Sequence, residues 1–390
     1  MDGITEPTEF RAEVAEFLAA SRAAGVACEA FGAILPPMLL PDALRWQRHV
    51  ADNGYAGLHW PVEFGGRGLD RAYSAIWYEE CARARVAPYL NLQGIVLAGE
   101  AIMRSGTDEQ KQRFLAETLT GDIVWCQLFS EPGAGSDLAG LATRATKDGD
   151  RYVLNGQKVW CSNGQLAHYG ILLARTDEHL PKHKGISFFL LDMTLPGVDV
   201  RPLKQMTGDE EFCEVFFDDV EVPGDALLGP EHGGWRVAME VLGDERGSFG
   251  SAGVISLQQK LDGLTTLLTD PTGDTATGSS GPAAPGGLAV DRLASLLARG
   301  NALRALLERT SDDVAMAPAA KVLRSEVDVE TNALTAGLRG PAAMLWDAET
   351  EAFLYAPGMR IAGGTSEIQR NIIGERLLGL PREPAPPGDR

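Results

Sequence analysis

Residues 125–137 read Trp-Cys-Gln-Leu-Phe-Ser-Glu-Pro-Gly-Ala-Gly-Ser-Asp, a strand-like apolar run that leads into a loop with two glycines and a proline. Glycines let a backbone approach a flat or phosphorylated ligand closely, and they free amide groups to point at it. Ser130 and Ser136 could donate hydroxyl hydrogen bonds to such a ligand. A tight surface turn would explain the glycines equally well, because short glycine motifs are weak signals on their own.

The sequence changes character near Ile123, where helical spacing gives way to β patterns. Asp148-Gly149 and Asn155-Gly156 each lie between strand-like runs, and both dipeptides are strong signals for short hairpins. Further runs rich in Phe, Val, Ile and Leu follow at 169–174, 186–192 and 212–221. The block from about 125 to 225 is therefore predicted to be a compact antiparallel β domain.

Both flanks of this block carry helical patterns. Phe10, Val14, Phe17 and Leu18 recur at helical spacing, and Thr107 is a plausible cap for a later helix. Beyond the block the pattern is helical again, apart from 270–287, which is rich in helix breakers and is predicted to be a flexible surface loop. The predicted helices are 41–58, 71–84, 108–119, 288–310, 314–336 and 366–378, and the tail after them is expected to be disordered.

The predicted fold class is α+β, in the order helical, β, helical. The domains are expected at 1–122 (N-terminal, α-helical), 123–228 (middle, antiparallel β) and 229–390 (C-terminal, helical).

Composition limits the class of ligand and the compartment. The 390 residues suit two or three packed units, and 44% hydrophobic residues can bury a sizeable core. A formal net charge of −19 argues against nucleic-acid binding, so an anionic ligand would need a local cationic site. The five cysteines lack zinc-like spacing, which indicates a reducing compartment and no metal site. Without a signal peptide pattern or an apolar run of roughly 18 residues, we expect a cytoplasmic protein with no membrane insertion.

Four motifs together resemble the signatures of the acyl-CoA dehydrogenase family. They are 125–137, the segment Gln-Lys-Val-Trp-Cys-Ser-Asn-Gly at 157–164, the segment Ile-Ala-Gly-Gly-Thr-Ser-Glu-Ile-Gln-Arg at 361–370, and the loop at 57–66. They occur in the family's order over roughly residues 54 to 380. The resemblance implies an N-terminal helical domain, a middle β domain and a C-terminal four-helix bundle, with FAD held between the last two.

The resemblance also implies roles for residues in these motifs. Phe129 and Ser130 would line the flavin ring, with Ser130 bonding near its N5 edge. Trp160 would pack against the isoalloxazine, although an ordinary hairpin aromatic is the simpler explanation when the motif is ignored. Ser136 would contact substrate or flavin. The remaining cofactor-binding positions that the resemblance implies are Ser162, Thr365 and Glu367.

The catalytic base is where this sequence departs from many family members. Abstraction of the α-proton of a thioester needs a base, and a carboxylate usually serves. Many members carry a glutamate at the position of Gly363, which has no side chain here. Others carry it on a C-terminal-domain helix before an arginine, which matches Glu245 and Arg246. The resemblance therefore implies Glu245 as base, Arg246 as a substrate-binding residue and the Gly363 N–H as a donor to the thioester carbonyl. A solvated Glu245 paired with an arginine is the alternative, and Asp244 is the fallback base.

Two further family features are missing, which bears on partners. The segments that cradle a neighbouring subunit's FAD should fall near 275–285 and 333–342, and neither matches. We therefore expect either a homo-oligomer or a heteromer with a related subunit. The expected substrate is an acyl-CoA, and the expected electron acceptor is an electron-transfer flavoprotein. The alternatives are an acyl-CoA oxidase, a non-catalytic subunit that completes a partner's FAD site, and an enzyme acting on carrier-protein-bound acyl groups.

Overall fold

The computed structural model describes residues 6–31, 34–248, 250–269, 287–309 and 314–382. These fall into two compact units that divide after Ser248. The predicted flexible loop (270–287) lies outside the described residues except for its last position, and so does most of the predicted tail. The boundaries of the three domains proposed from the sequence remain a prediction.

The first unit begins with helices. They are α1 (Pro7–Ala23), α2 (Leu40–Asp52), α3 (Arg71–Ala84), α4 (Gly99–Ser105) and α5 (Asp108–Thr120). Their core is aromatic: Phe10, Trp46 and Trp77 are fully buried. The predicted cap of α5 is confirmed, because the Thr107 hydroxyl accepts from Gln110 N (3.2 Å) and the Gln110 side chain accepts from Thr107 N (3.0 Å).

The helix predicted at 41–58 is six residues too long. Helix α2 ends at Asp52, and Gly54 follows with φ +73°. A residue in the left-handed region after the last turn is a common way for a helix to stop. The apolar residues from 55 to 58 are buried in the loop that follows, which explains why they continued the apolar pattern.

A sheet follows the helices in the first unit. Its strands are β1 (Trp125–Leu128), β2 (Arg144–Asp148), β3 (Arg151–Ser162), β4 (Tyr169–Arg175), β5 (Ile186–Asp192), β6 (Val198–Leu203), β7 (Phe212–Pro223) and β8 (Leu227–Leu228). The spatial order is β6-β7-β3-β2-β4-β5-β8, and β1 pairs with β4. The pairings are antiparallel except β1 with β4 and the single pair Arg144 with Arg175, which are parallel.

One of the two predicted hairpin signals forms a hairpin. Asp148 pairs with Arg151 across the turn that contains Gly149, whose φ is +64°. Asn155-Gly156 is not a turn, because β3 runs through it with a shift of register against β7 between Leu154 and Gly156. The backbone passes so close to β2 there that a Cβ on Gly156 would lie 2.7 Å from the Thr143 Cα. The dipeptide therefore marks an irregularity inside a strand.

The first unit closes with α6 (Gly234–Ser248), and the second unit is helical. The latter contains α7 (Gly250–Thr269), α8 (Gly287–Arg309), α9 (Ala317–Arg339), α10 (Ala348–Met359) and α11 (Ser366–Ile372). Helices α7, α8 and α9 share a leucine-rich core that includes Leu261, Leu296 and Leu303. The predicted α+β class and its helical, β, helical order are confirmed. Among the described residues, no helix combines the length and the apolar character of a bilayer span.

Candidate functional site

Phe129 and Ser130 follow β1 directly, and each is held by a contact with a neighbouring strand. Phe129 is buried and lies edge-to-face against Phe188, with ring centroids 5.9 Å apart. The carbonyl oxygen of Ser130 accepts a hydrogen bond from Val159 N at 2.9 Å. Ser130 therefore lies beside the residue that precedes Trp160 on β3.

Trp160 combines strain with exposure. Its φ is +61°, and the pairing of β3 with β7 shifts register between Lys158 and Cys161. The left-handed region is unfavourable for a bulky residue, and such strain is found most often at ligand sites. The indole is 60% exposed and makes an edge contact with Phe212 at 5.9 Å between centroids. The bulge thus presents a flat aromatic face that the described residues leave largely uncovered.

A buried ion pair, which was not predicted from the sequence, lies beneath this surface. Lys158 Nζ donates to Glu131 Oε1 at 2.7 Å and to the Phe129 carbonyl oxygen at 3.0 Å. Burial lowers the pKa of Lys158 to about 8, against the opposing effect of the Glu131 carboxylate. Burial also raises the pKa of Glu131, but the Lys158 charge and hydrogen bonds outweigh it and hold that pKa below 4.5.

The position of Lys158 in β3 carried a signal that could have revealed the pair. Tyr152 and Leu154 point into the core, and Lys158 occupies the same side of the alternation. A lysine at an inward position needs a buried partner. The neighbouring motif of 125–137 offers two acidic residues, Glu131 and Asp137, and the structure shows that Glu131 is the partner.

Ser162 is the last residue of β3, and Asn163 follows it. Ser162 is half-buried and pairs with Phe212 on β7. Asn163 has φ +55° and donates its N–H to the Glu211 carbonyl at 2.7 Å. Its side-chain Oδ1 is buried without a hydrogen-bond partner. An acceptor left unpaired in the protein alone is a feature to expect beside a ligand or an ordered water.

The glycine loop after Glu131 is open. Glu131 and Ala134 exchange both main-chain hydrogen bonds (3.1 and 3.0 Å), which forms a tight turn. A Cβ on Gly133 or Gly135 would have no neighbour within 4 Å, and Ser136 is exposed. Crowding within the protein therefore does not explain these glycines, which leaves room for a ligand to approach the backbone.

These features fit the flavin ring of FAD. An exposed indole can stack on a flat ring, and the hydroxyls of Ser130 and Ser162 can hydrogen-bond to ring nitrogens and oxygens. Asn163 supplies an unused acceptor. Phe129 and Ser130 follow β1 directly and lie beside β3, which carries Trp160 and Ser162, and Ser136 lies on the adjoining loop.

The remaining predicted residues of the third signature share one turn of the second unit. Gly363 and Gly364 have φ +66° and +94°. The Gly363 carbonyl accepts from the Gln369 side chain at 2.9 Å, and the Gly364 carbonyl accepts from Lys321 Nζ at 2.7 Å. A Cβ at 363 would meet no atom within 4 Å, so space for a side chain exists there.

Thr365 and Glu367 begin helix α11. The Thr365 hydroxyl accepts from Ile368 N at 3.2 Å and caps the helix. Glu367 is exposed, and hydrogen bonds from its own N–H and from the Thr365 side chain lower its pKa. Both residues thus have structural roles as an N-terminal cap and a first-turn acid. Their assignment to cofactor binding remains a prediction.

The predicted base lies on helix α6. Asp244, Glu245 and Arg246 all belong to this helix, but their side chains lie outside the described residues. The roles of Glu245 as base and of Asp244 as fallback therefore remain predictions.

Comparison with known proteins identifies the family. Family models described as the N-terminal, middle and C-terminal domains of acyl-CoA dehydrogenase match residues 5–122, 126–220 and 232–378. Acyl-CoA dehydrogenase IpdE1 of Mycobacterium tuberculosis is 38% identical over 348 residues, which cover 87% of this chain and 88% of that protein. The protein of the same name from Mycolicibacterium smegmatis is 36% identical over 399 residues, which cover 97% of this chain and 99% of that protein.

Solved structures agree. The Tcur3481–Tcur3483 steroid ACAD superposes with a TM-score of 0.80 at 26% identity and covers 98% of this chain and 100% of that chain. The ChsE4–ChsE5 complex from Mycobacterium tuberculosis gives 0.78 at 30% identity, with 98% and 100% covered. Together with the three domain matches, these relatives show that the chain belongs to the acyl-CoA dehydrogenase family and is an oxidoreductase that uses FAD.

Proposed function

We propose that this chain catalyses α,β-dehydrogenation of an acyl-CoA thioester to the trans-2-enoyl-CoA. The observation that carries the proposal is the exposed, strained Trp160 beside Ser130, in a chain of the acyl-CoA dehydrogenase family. FAD, when bound, supplies the acceptor for the hydride that leaves the β-carbon. Trp160 and Phe129 hold the ring, and the hydroxyls of Ser130 and Ser162 bond to its edge.

The other steps belong to protein groups. Glu245 takes the α-proton as general base. The Gly363 N–H donates to the thioester carbonyl, which makes that proton more acidic, and such prepositioned donors are commonly a large electrostatic contribution. Arg246 and Ser136 bind the substrate, and Thr365 and Glu367 bind the cofactor. These roles are proposed from matching motif positions.

The base can be tested against its neighbour on the same helix. Glu245→Gln should bind FAD and form a yellow protein but reduce its flavin about 10²–10⁴-fold more slowly when acyl-CoA is added without oxygen. Asp244→Asn is the matched control, and its reduction rate should stay within a few-fold of wild type. The measurement is the loss of flavin absorbance in a stopped-flow instrument. Wild-type bleaching by Glu245→Gln, with a slow Asp244→Asn, would assign the base to Asp244.

The acyl group is the least constrained part of the proposal. The space at Gly363 is compatible with a bulky or branched chain, and one similar solved structure is described as a steroid ACAD. We therefore propose a bulky acyl-CoA as substrate. A panel of straight, branched and polycyclic acyl-CoAs, with acyl-carrier-protein thioesters beside it, tests this. Fastest bleaching by a straight chain would contradict the proposal, and bleaching only by carrier-protein thioesters would favour that alternative.

A second candidate function is a cofactor-completing subunit of a heteromer. Two similar solved structures are described by pairs of proteins, and 333–342 lacks the glycine motif that the family uses across its subunit interface. Co-purification with each related chain from the native host, with flavin counted per subunit, separates the two functions. A pure chain that binds one FAD and bleaches with acyl-CoA is an enzyme by itself. Reoxidation by an electron-transfer flavoprotein, rather than by oxygen, would distinguish a dehydrogenase from an oxidase.

A further inference from the structure

Lys158 occupies a position that burial makes unfavourable for a charge. Its side chain is fully buried, on the side of β3 that Tyr152 and Leu154 use for the core. Burying an ion pair in a sheet commonly stabilises less than an apolar pair of similar volume, because both charges lose water. An apolar side chain at position 158 would be enough for packing the core. The ion pair therefore calls for an explanation beyond core packing.

The hydrogen bonds of the pair supply that explanation. Lys158 Nζ holds the Phe129 carbonyl (3.0 Å) and the Glu131 carboxylate (2.7 Å). The same carboxylate accepts from Ala142 N (2.6 Å) and Thr143 N (3.0 Å), the two residues that directly precede β2. Three segments of chain thus meet at one buried pair: the exit of β1, the approach to β2 and the bulge of β3.

The fixed groups are the neighbours of the predicted flavin contacts. Lys158 holds residue 129 through its carbonyl, and the next residue on β3, Val159, holds Ser130 through its carbonyl at 2.9 Å. Trp160 follows directly with its strained backbone. The pair therefore helps to fix the backbone of the two segments that carry the Ser130 hydroxyl and the Trp160 indole.

We propose that Lys158 and Glu131 are positioning residues for the FAD site: a buried ion pair that holds Ser130 and Trp160 in the arrangement that accepts the flavin ring. The proposal rests on the proposed roles of Ser130 and Trp160. It requires neither residue to touch the cofactor. Its test therefore uses FAD binding, and it does not depend on which thioester the enzyme oxidises.

Lys158→Met removes the donor to the Phe129 carbonyl. The full chain stripped of FAD should then bind FAD about tenfold more weakly, as expected for one lost hydrogen bond of ordinary strength. Quenching of flavin fluorescence on titration measures the Kd. Lys147→Met is the matched control, because Lys147 lies on the adjacent strand β2 and pairs with Glu231 at 3.1 Å at the protein surface. Its Kd should equal that of wild type.

A double variant separates positioning from stability. Lys158→Met alone leaves the Glu131 carboxylate buried and unpaired, so the thermal midpoint of the FAD-free chain should fall. Lys158→Met with Glu131→Gln removes both charges and should recover part of that midpoint. The recovery is partial because an amide has one acceptor oxygen for the N–H groups of Ala142 and Thr143, each of which bonds to its own carboxylate oxygen in the wild type. The double variant's Kd for FAD should nevertheless stay about tenfold above wild type, because the Phe129 carbonyl still lacks its donor. The visible circular dichroism of flavin bound at saturation should also differ from wild type.

Two outcomes would overturn the proposal. In one, FAD affinity recovers together with the thermal midpoint in the double variant, which would make the pair a stabilising element only. In the other, Lys158→Met binds FAD like wild type. If Lys158→Met fails to fold, the double variant against Lys147→Met still decides. Failure of every acyl-CoA to bleach the wild type would refute the proposed function and leave this inference standing.

Discussion

Two regions that carry the predicted site residues hold their backbones in the same way but present different groups. In the β3 bulge region, which we define as residues 129–131 and 158–163, the buried side chain of Lys158 donates to the Phe129 carbonyl. In the Gly363 turn, which we define as residues 360–365, the Gln369 and Lys321 side chains donate to the carbonyls of residues 363 and 364. Both regions also contain backbone with positive φ.

The difference lies in what occupies the positive-φ positions. The β3 bulge region places the indole of Trp160 there, at a cost in strain, and so displays a side chain. The turn places two glycines there without strain, and so leaves main-chain groups accessible. The β3 bulge region is thus suited to stacking on a ring, and the turn is suited to donating a main-chain N–H. Each property can be broken separately.

The largest effect is expected within the turn, between its two adjacent glycines. A Cβ on Gly364 would lie 2.6 Å from Gln369 Nε2, whereas a Cβ on Gly363 would meet nothing within 4 Å. Both substitutions to alanine carry the cost of positive φ, about 1 kcal/mol. Gly364→Ala should lose a further ~1–3 kcal/mol, because it displaces the Gln369 side chain. Thermal midpoints of the two variants measure the difference, and equal losses would show that Gln369 does not brace the turn.

A smaller effect is expected when the backbone strain at Trp160 in the β3 bulge region is relieved. Asparagine tolerates the left-handed region, so Trp160→Asn should relieve strain and raise the free energy of unfolding by up to about 1 kcal/mol. Its thermal midpoint should therefore equal or exceed that of wild type. The substitution should also weaken FAD binding about tenfold, since base or ring stacking on an aromatic side chain is worth roughly 1–3 kcal/mol. Trp160→Phe keeps an aromatic face and should bind FAD nearly as wild type. A fall in midpoint together with unchanged affinity would mean that Trp160 serves the fold.

The two regions also differ in how far the sequence predicted them. Motif order and apolar periodicity were enough for the helical, β, helical architecture, the Thr107 cap and the family with its FAD. The hairpin predicted at Asn155-Gly156 was wrong, because the same dipeptide suits both a hairpin turn and a close approach between strands. A propensity rule describes one segment and cannot tell which of these its neighbours require.

The supporting residues were harder to predict than the displayed ones. The inward position of Lys158 could be read from the alternation in β3, yet its partner came from another segment. Gln369 supports Gly363 through an α11 side chain that folds back on the turn, which no local pattern signals. The strain at Trp160 depends on a bulge against β7 and therefore on tertiary pairing. Motifs indicate which residues meet a ligand, and packing determines what holds them.

The smallest expected effect is a difference in acid sensitivity between the two regions. The pKa of Glu131 lies below its ordinary value of 4.5 in the folded protein, because the Lys158 charge and hydrogen bonds outweigh burial. A carboxyl whose folded pKa is depressed contributes stability above its unfolded pKa and loses it as the pH falls through the folded one. Glu131→Gln should therefore be less stable than wild type at neutral pH, and the gap in thermal midpoint should narrow below pH 4.5. In the Gly363 turn, the Gly363 carbonyl accepts from the uncharged amide of Gln369, so the gap between wild type and Gln369→Leu should stay constant over the same range. If both gaps narrow alike, the loss of stability in acid comes from other carboxyl groups. The charges of Lys158 and Glu131 would then contribute no more to stability than a neutral hydrogen-bonded pair.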